Sequence, residues 1–298
     1  MVQKYKYYTY FCVHKQKIIP VTTVELIDTG YFYADGGAMF GTIPLSSWRR
    51  RYPCDKQKRC VLSMRVGLII TECGRIMLID SGVGNIQKKF TTYGFFDLTD
   101  ICEALMVRGI QPEMVTDVVL THLHFDHCGG TTSIRNNSVV SAFPEATCWV
   151  SRSQWESAFH PNPLEIDSFS PDNIKVIEKA GNLQLIDSDM DLCEGIQFRI
   201  YEGHTAGQIV PYIQTDSATY VFAGDVIPLA AHISPLWISA YDILPLTSYH
   251  EKTRLLDEAA THNQIIVHYH DTYTPYSTVK KVANRFSTSK VKHQGITV

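Results

Sequence analysis

Val115-Thr116-Asp117-Val118-Val119-Leu120-Thr121-His122-Leu123-His124-Phe125-Asp126-His127-Cys128-Gly129-Gly130 is the stretch on which the reading of this chain turns. Val115 to Leu120 reads as a buried strand that runs straight into a cluster of imidazoles. His122 and His124 stand two apart, so at the end of an extended segment they point the same way. Asp126 and His127 fall on the turn that follows, and Gly129-Gly130 lets the backbone turn and approach its neighbours closely. Imidazoles and a carboxylate at this density suit zinc, iron or another borderline cation. The plainer alternative, a histidine-rich turn without an ion, would bury those polar groups unpaired at considerable cost.

Outward from this cluster, further stations follow in order. Leu78-Ile79-Asp80-Ser81-Gly82 is an apolar strand ending in an aspartate and a turn. Gly203-His204-Thr205-Ala206-Gly207 supplies another histidine between glycines, and Phe222-Ala223-Gly224-Asp225 ends a strand in an aspartate. His268 and His270 follow a last apolar strand, Gln264 to Tyr269. Together these segments resemble the metallo-β-lactamase superfamily, from about Glu25 to about Tyr273. The fold that the resemblance implies is an α/β (α+β layered) αββα sandwich, two mixed sheets flanked by helices.

On that resemblance His122, His124 and His204 would hold one metal ion, and Asp126, His127 and His270 a second, with Asp225 bridging. His270 is followed by Asp271, as the last histidine commonly is in lactonase-like members. His268 shares its face of the strand, so periodicity does not separate the two. The implied cofactors are two divalent ions, zinc foremost, with manganese, iron or cobalt as alternatives. Ions about 3.5–4 Å apart share a hydroxide and polarise the substrate oxygen. The implied catalytic residues are Asp225 and Asp126, the latter as proton acceptor or relay, while Asp80 would orient the ligand loop.

Two stretches narrow the branch. Asp35-Gly36-Gly37-Ala38-Met39-Phe40-Gly41 and the segment Gly224 to Ile233 resemble N-acyl-homoserine lactonases and organophosphate-hydrolysing relatives. The first reads otherwise as a glycine-rich turn between strands. Lactonases of that branch place a tyrosine three residues beyond the bridging aspartate, where this chain has Pro228. Either Tyr93, Tyr241 or Tyr273 substitutes, or the substrate is not an acyl-homoserine lactone. The expected activity is metal-dependent hydrolysis of an ester or lactone, with phosphotriester hydrolysis as the alternative. A mononuclear-iron persulfide dioxygenase is the reading from another class. Met39, Phe40, Trp155, Phe159, His232 and Tyr241 are the candidate contacts for an apolar acyl or aryl group.

The whole chain sets the bounds. With 298 residues, 45% hydrophobic and 19% charged, it can bury an ample core, and one domain over 1–298 is expected, with 1–20 as an extension. Those first residues either pack on a partner subunit, in a homodimer, or extend the first strand. A net charge of −3 argues against a nucleic-acid partner, and Trp48-Arg49-Arg50-Arg51 with Lys56, Lys58 and Arg59 reads as a solvated loop. No apolar run approaches the roughly 20 residues of a membrane helix. The 8 cysteines form no C-x-x-C pair and read as scattered reduced thiols. With no apolar segment behind Lys4 and Lys6, a cytoplasmic protein is expected.

The remaining elements follow from pattern. Val61 to Glu72 and Arg75 to Asp80 read as a hairpin about Cys73-Gly74. Leu98 to Arg108, Ser153 to Phe159 and His250 to His262 read as helices. Cys148 to Ser151, Ile196 to Tyr201, Val210 to Gln214 and Thr219 to Ala223 read as strands.

Overall fold

The structure, a computed structural model, describes residues 22–84, 91–135, 138–283 and 285–291. The extension over 1–20 lies outside the described residues.

A first sheet is six-stranded, in the order β1-β2-β3-β4-β7-β8. Its strands are β1 (Thr23–Asp35), β2 (Arg59–Ile70), β3 (Ile76–Ile79), β4 (Asp117–Val119), β7 (Thr147–Ser151) and β8 (Leu183–Ile186). β5 (Thr132–Arg135) and β6 (Ser138–Ser141) form a separate hairpin. A second sheet is seven-stranded, in the order β15-β14-β13-β12-β11-β10-β9. It contains β9 (Met190–Cys193), β10 (Ile196–Tyr201), β11 (Gln208–Gln214), β12 (Thr219–Phe222), β13 (Ile265–Val267), β14 (Tyr276–Val282) and β15 (Arg285–Lys290). Both sheets are mixed: β3, β4, β7 and β8 run parallel, as do β12 and β13, and the other pairings are antiparallel.

Period-two alternation builds the layers. Ile69, Met77, Ile79 and Val119 of the first sheet meet Ile196, Phe198, Ile209, Phe222 and Val267 of the second between the sheets. Alternate residues Val66, Leu68, Leu78 and Val118 face outward. They are covered by α3 (Ile101–Val107), α5 (Arg152–Phe159) and α6 (Pro171–Ala180) through Leu105, Ala158, Ile174 and Ile177. On the far side Val210, Tyr212 and Val221 pack beneath Leu255, Leu256 and Ala259 of α7 (Pro245–Thr261). Helix, sheet, sheet and helix follow in that order, the αββα arrangement.

Several local readings shift. The hairpin about Cys73-Gly74 is present, with Ile70 opposite Ile76. The helix expected from Leu98 begins at Ile101, because the Asp100 carboxylate accepts from the backbone N–H groups of Cys102 and Glu103 and caps it there. The helix expected from His250 begins five residues earlier, at Pro245, which suits the first helical position. The glycine-rich segment after β1 is not a plain turn. It forms a short helix, α1 (Gly36–Phe40), capped by Asp35 through a 2.8 Å bond from the Ala38 N–H and followed by a one-turn helix, α2 (Leu45–Trp48).

Candidate metal centre

Five strands end at one pole of the sandwich and deliver the polar cluster there. β3 leads to Asp80, and β4 leads through Thr121 to His122. β10 leads to His204, β12 to Asp225 and β13 to His270. His124 caps a single helical turn, α4 (Phe125–Cys128), that carries Asp126 and His127. That turn can sit so low because Gly129 lies against the Val83 carbonyl, where a Cβ would come within 2.0 Å of its oxygen.

The structure gathers three groups of donor atoms, each within 4.8 Å of one another: His122, His124 and His204; Asp126, His127 and His270; and His122, His127 and Asp225. Asp225 lies between the first two. Its Oδ2 is 3.4 Å from His204 Nε2, and its Oδ1 is 3.2 Å from His270 Nε2 and 3.5 Å from His127 Nε2. Asp126 Oδ2 is 3.4 Å from His270 Nε2.

What surrounds the rings decides which nitrogen faces inward. His127 Nδ1 donates to Asp80 at 2.8 Å, His204 Nδ1 to Asp242 at 3.0 Å, and His270 Nδ1 to the Ser63 carbonyl at 2.8 Å. The Thr121 hydroxyl donates to Asp80 and so accepts from His122 Nδ1, at 3.0 Å. His124 is turned the other way: its Nε2 faces Glu165 at 3.5 Å, and its Nδ1 lies 3.3 Å from His204 Nε2. With these protons assigned from their partners, the inward nitrogens present lone pairs to one another and to carboxylate oxygens. His127 Nε2 and His270 Nε2 are 3.3 Å apart. Buried His122 Nε2 and Asp225 Oδ1 have no hydrogen-bond partner. Facing lone pairs repel unless a cation lies between them, and this donor set fits divalent metal ions.

The electrostatics have the same sense. Burial pushes His122 well below the ordinary imidazole value, and the His127 and His124 rings add to this. At His127 burial acts likewise, but the carboxylates of Asp126, Asp80 and Asp225 outweigh it and hold the ring well above its ordinary value. Burial would raise Asp225, yet His270, His127 and His204 hold it well below the carboxylate range. Positive charge is what this cavity favours.

His268 is fully buried with both nitrogens engaged by protein, Nδ1 with the Ile227 carbonyl and Nε2 with the Ser277 hydroxyl. The structure therefore directs His270, not His268, into the centre. Its loop is clamped by buried Arg65, which donates to the carbonyls of His268 and Asp271. Pro228 accepts from the His270 N–H through its carbonyl at 3.1 Å.

A cleft of about 570 Å³ opens onto the donors. Phe32, Met39, Leu62, Tyr93, Phe125 and Tyr241 form much of its wall. Of the candidate substrate contacts, Met39 and Tyr241 lie there. Phe40 and His232 need correction. Both are fully buried and stack on each other at 5.0 Å, with His232 Nε2 on the Met39 carbonyl, so they support the wall from behind. Trp155 and Phe159 also need correction: they meet edge-to-face at 5.2 Å, Trp155 packs from α5 onto the core, and neither lines the cleft. Tyr93 is on the wall, whereas Tyr273 packs edge-on against Tyr52 outside it. Glu165, Asp242 and Ser63, the groups behind three of the histidines, carry no local motif. Glu165 lies 41 residues from His124 and Asp242 lies 38 from His204.

A family model described as the metallo-beta-lactamase superfamily matches residues 65–278. The N-acyl homoserine lactonase of Bacillus thuringiensis subsp. kurstaki is 24% identical over 110 residues, and that of a Bacillus species 27% identical over 110. Each alignment spans 37% of this chain and 37% of the relative's length. A probable metal-dependent hydrolase from Staphylococcus aureus superposes with a TM-score of 0.81 at 25% identity, covering 91% of this chain and 98% of that one. A dizinc quorum-quenching lactonase solved with a product superposes with a TM-score of 0.74 at 16% identity, covering 92% of this chain and 96% of its own, a likeness of fold. The match over 65–278 takes in the strands of both inner layers that deliver Asp80, His122, His204, Asp225 and His270 to one pole, and the chain belongs to the metallo-beta-lactamase superfamily.

Proposed function

We propose that this protein is a metal-dependent hydrolase of ester or lactone bonds. His122, His124 and His204 would hold one divalent ion and Asp126, His127 and His270 a second, with Asp225 lying between the two groups. Zinc suits the nitrogen-rich donor set. The observation that carries this reading is the convergence of imidazole nitrogens and carboxylate oxygens in three groups, each within 4.8 Å, with buried His122 Nε2 and Asp225 Oδ1 left without a hydrogen-bond partner. Both sheets contribute donors, which supports reading the chain as one domain.

When bound, the ions supply Lewis acidity toward a carbonyl oxygen and make water acidic enough to attack near neutral pH. The chain's own residues do the rest. Asp80, Asp242, Glu165 and the Ser63 carbonyl fix each ring's rotation and tautomer. Asp126 lines the cleft and is placed to take the attacking water's proton and return it to the leaving alkoxide. Phe32, Met39, Leu62 and Phe125 give an apolar wall for an acyl chain and exclude water from it. Tyr93 and Tyr241 stand in for the tyrosine missing at Pro228. Burial keeps the Tyr241 phenol protonated, and therefore a donor toward a substrate oxygen.

The test is metal quantification beside a panel of acyl-homoserine lactones, aryl esters, phosphotriesters and thioesters. The expected result is close to two divalent ions per chain, with ester or lactone turnover lost on chelation and restored by zinc, manganese or cobalt. Turnover that survives complete metal removal would overturn the proposal. Asp225→Ala should abolish turnover, by about a thousandfold or more, while circular dichroism stays native.

A further inference from the structure

The pole opposite the metal centre carries a pair of thiols that hydrolysis does not use. Cys73 sits in the turn between β2 and β3, and Cys193 ends β9 just before β10. β3 and β10 start at this pole and lead toward Asp80 and His204, so the thiols lie at the far ends of strands that deliver the site. The two turns belong to different sheets. They face each other across a groove lined by Thr71, Glu72, Cys73, Cys193 and Glu194. Cys73 and Cys193 both line this groove, near enough for each thiol to perturb the other's protonation.

We propose that Cys73 and Cys193 form a dithiol site for a hydroperoxide, which closes them to an intramolecular disulfide tying the two sheets together. Of the described cysteines, Cys73 is the exposed one, whereas Cys60, Cys128 and Cys148 are buried. The Thr71 hydroxyl lies 3.1 Å from Cys73 Sγ and draws its thiol below the ordinary value, with the Arg75 N–H, the Cys193 thiol and the Arg75 charge assisting. Burial pushes Cys60 and Cys148 up to about 12, so those thiols stay protonated. An exposed, thiolate-prone cysteine beside a second thiol is the arrangement in which oxidation proceeds to a disulfide. Both turns carry a glycine beside the thiol: Gly74 has φ +84° with open space around it, and Gly195, two residues after Cys193, has φ +78°.

The chemistry balances with the hydroperoxide as oxidant. The Cys73 thiolate attacks the outer peroxide oxygen and breaks the O–O bond. This gives a sulfenic acid and an alkoxide, or hydroxide from hydrogen peroxide, which takes up a proton. Cys193 sulfur then attacks the Cys73 sulfur and displaces hydroxide, which leaves as water with the Cys193 proton. Two thiols are oxidised by two electrons, and one peroxide is reduced to an alcohol and water.

The full-length, metal-loaded protein should be treated with one equivalent of hydrogen peroxide and mapped by mass spectrometry without reductant. The expected products are a loss of two hydrogens and a peptide joining residues 73 and 193. The melting temperature should rise by roughly 5 °C, since the bond closes a long loop. Dithiothreitol should reverse both changes. In Cys193→Ser the reaction should stop at a Cys73 sulfenic acid that dimedone labels, and in Cys73→Ser position 193 should remain a thiol. Free thiols at both positions after oxidation, a stable Cys73 sulfenic acid in the unsubstituted chain, or Cys73 linked only between molecules would each overturn the proposal.

Discussion

Asp80 is fully buried and holds φ at 61°, a left-handed conformation unusual outside glycine and asparagine. It accepts from the Thr121 N–H at 2.7 Å, the Thr121 hydroxyl at 2.9 Å and His127 Nδ1 at 2.8 Å. One carboxylate therefore orients His127 directly and His122 through Thr121. Asp242 and Glu165 do the same for one ring each, and such partners are worth about 10–100-fold in metal affinity. Asp242→Asn is expected to weaken metal retention at the His122, His124 and His204 group by that order, read by chelator competition, while leaving the other group's ion in place. Equal loss of both ions would show that Asp242 does not act through His204. Asp80 was legible because it ends an apolar strand just ahead of Ser81-Gly82. Asp242 and Glu165 were not, because only the folded chain brings them to their histidines.

At the scale of elements, sequence pattern reads best where one face is buried and alternation is clean. Ile196 to Tyr201 has the bounds its periodicity gives. β1 is harder to delimit, because the register shifts between Asp28 and Gly30 and leaves Thr29 and Gly30 buried in succession. α6 shows Ile174, Val176 and Ile177, a spacing too short to tell helix from strand, and β14 carries Lys280 and Lys281 toward the sheet margin. The turn around α4 supplies its own prediction. In Gly129→Ala the new methyl meets the Val83 backbone, which cannot swing away as a side chain can. The expected cost is about 1–3 kcal/mol or more, seen as a lower urea midpoint with unchanged m-value. A stability equal to the parent chain would mean that α4 can lift without penalty.

At the scale of the whole molecule, a lysine lies inside the second helical layer. Lys252 is 1% exposed and donates to the Trp237 carbonyl at 2.7 Å. Burial lowers it from 10.5 to about 8, with Asp242 opposing. Below pH 8 both folded and unfolded chains carry this proton, and the burial penalty is fully present. Between about 8 and 10.5 the unfolded chain binds more protons, so stability climbs with pH in that window, by about 3 kcal/mol from this group. Lys252→Met should flatten the climb in denaturant titrations across pH 7.5 to 10.5. The same slope in both chains would assign it elsewhere.

The parallel pairing of β12 with β13, which sets Asp225 beside His270, also fixes an order of events. His122, His124, Asp126 and His127 emerge together during synthesis, but His204, Asp225 and His270 follow over well over a hundred further residues. A nascent chain that ends before β13 has docked offers an ion an open half-cage, from which it can exchange. Arg65 on β2 ties the carbonyls around His270 to the first sheet. Firm retention of metal would thus come late: a chain that resists a chelator would already have brought its two sheets together.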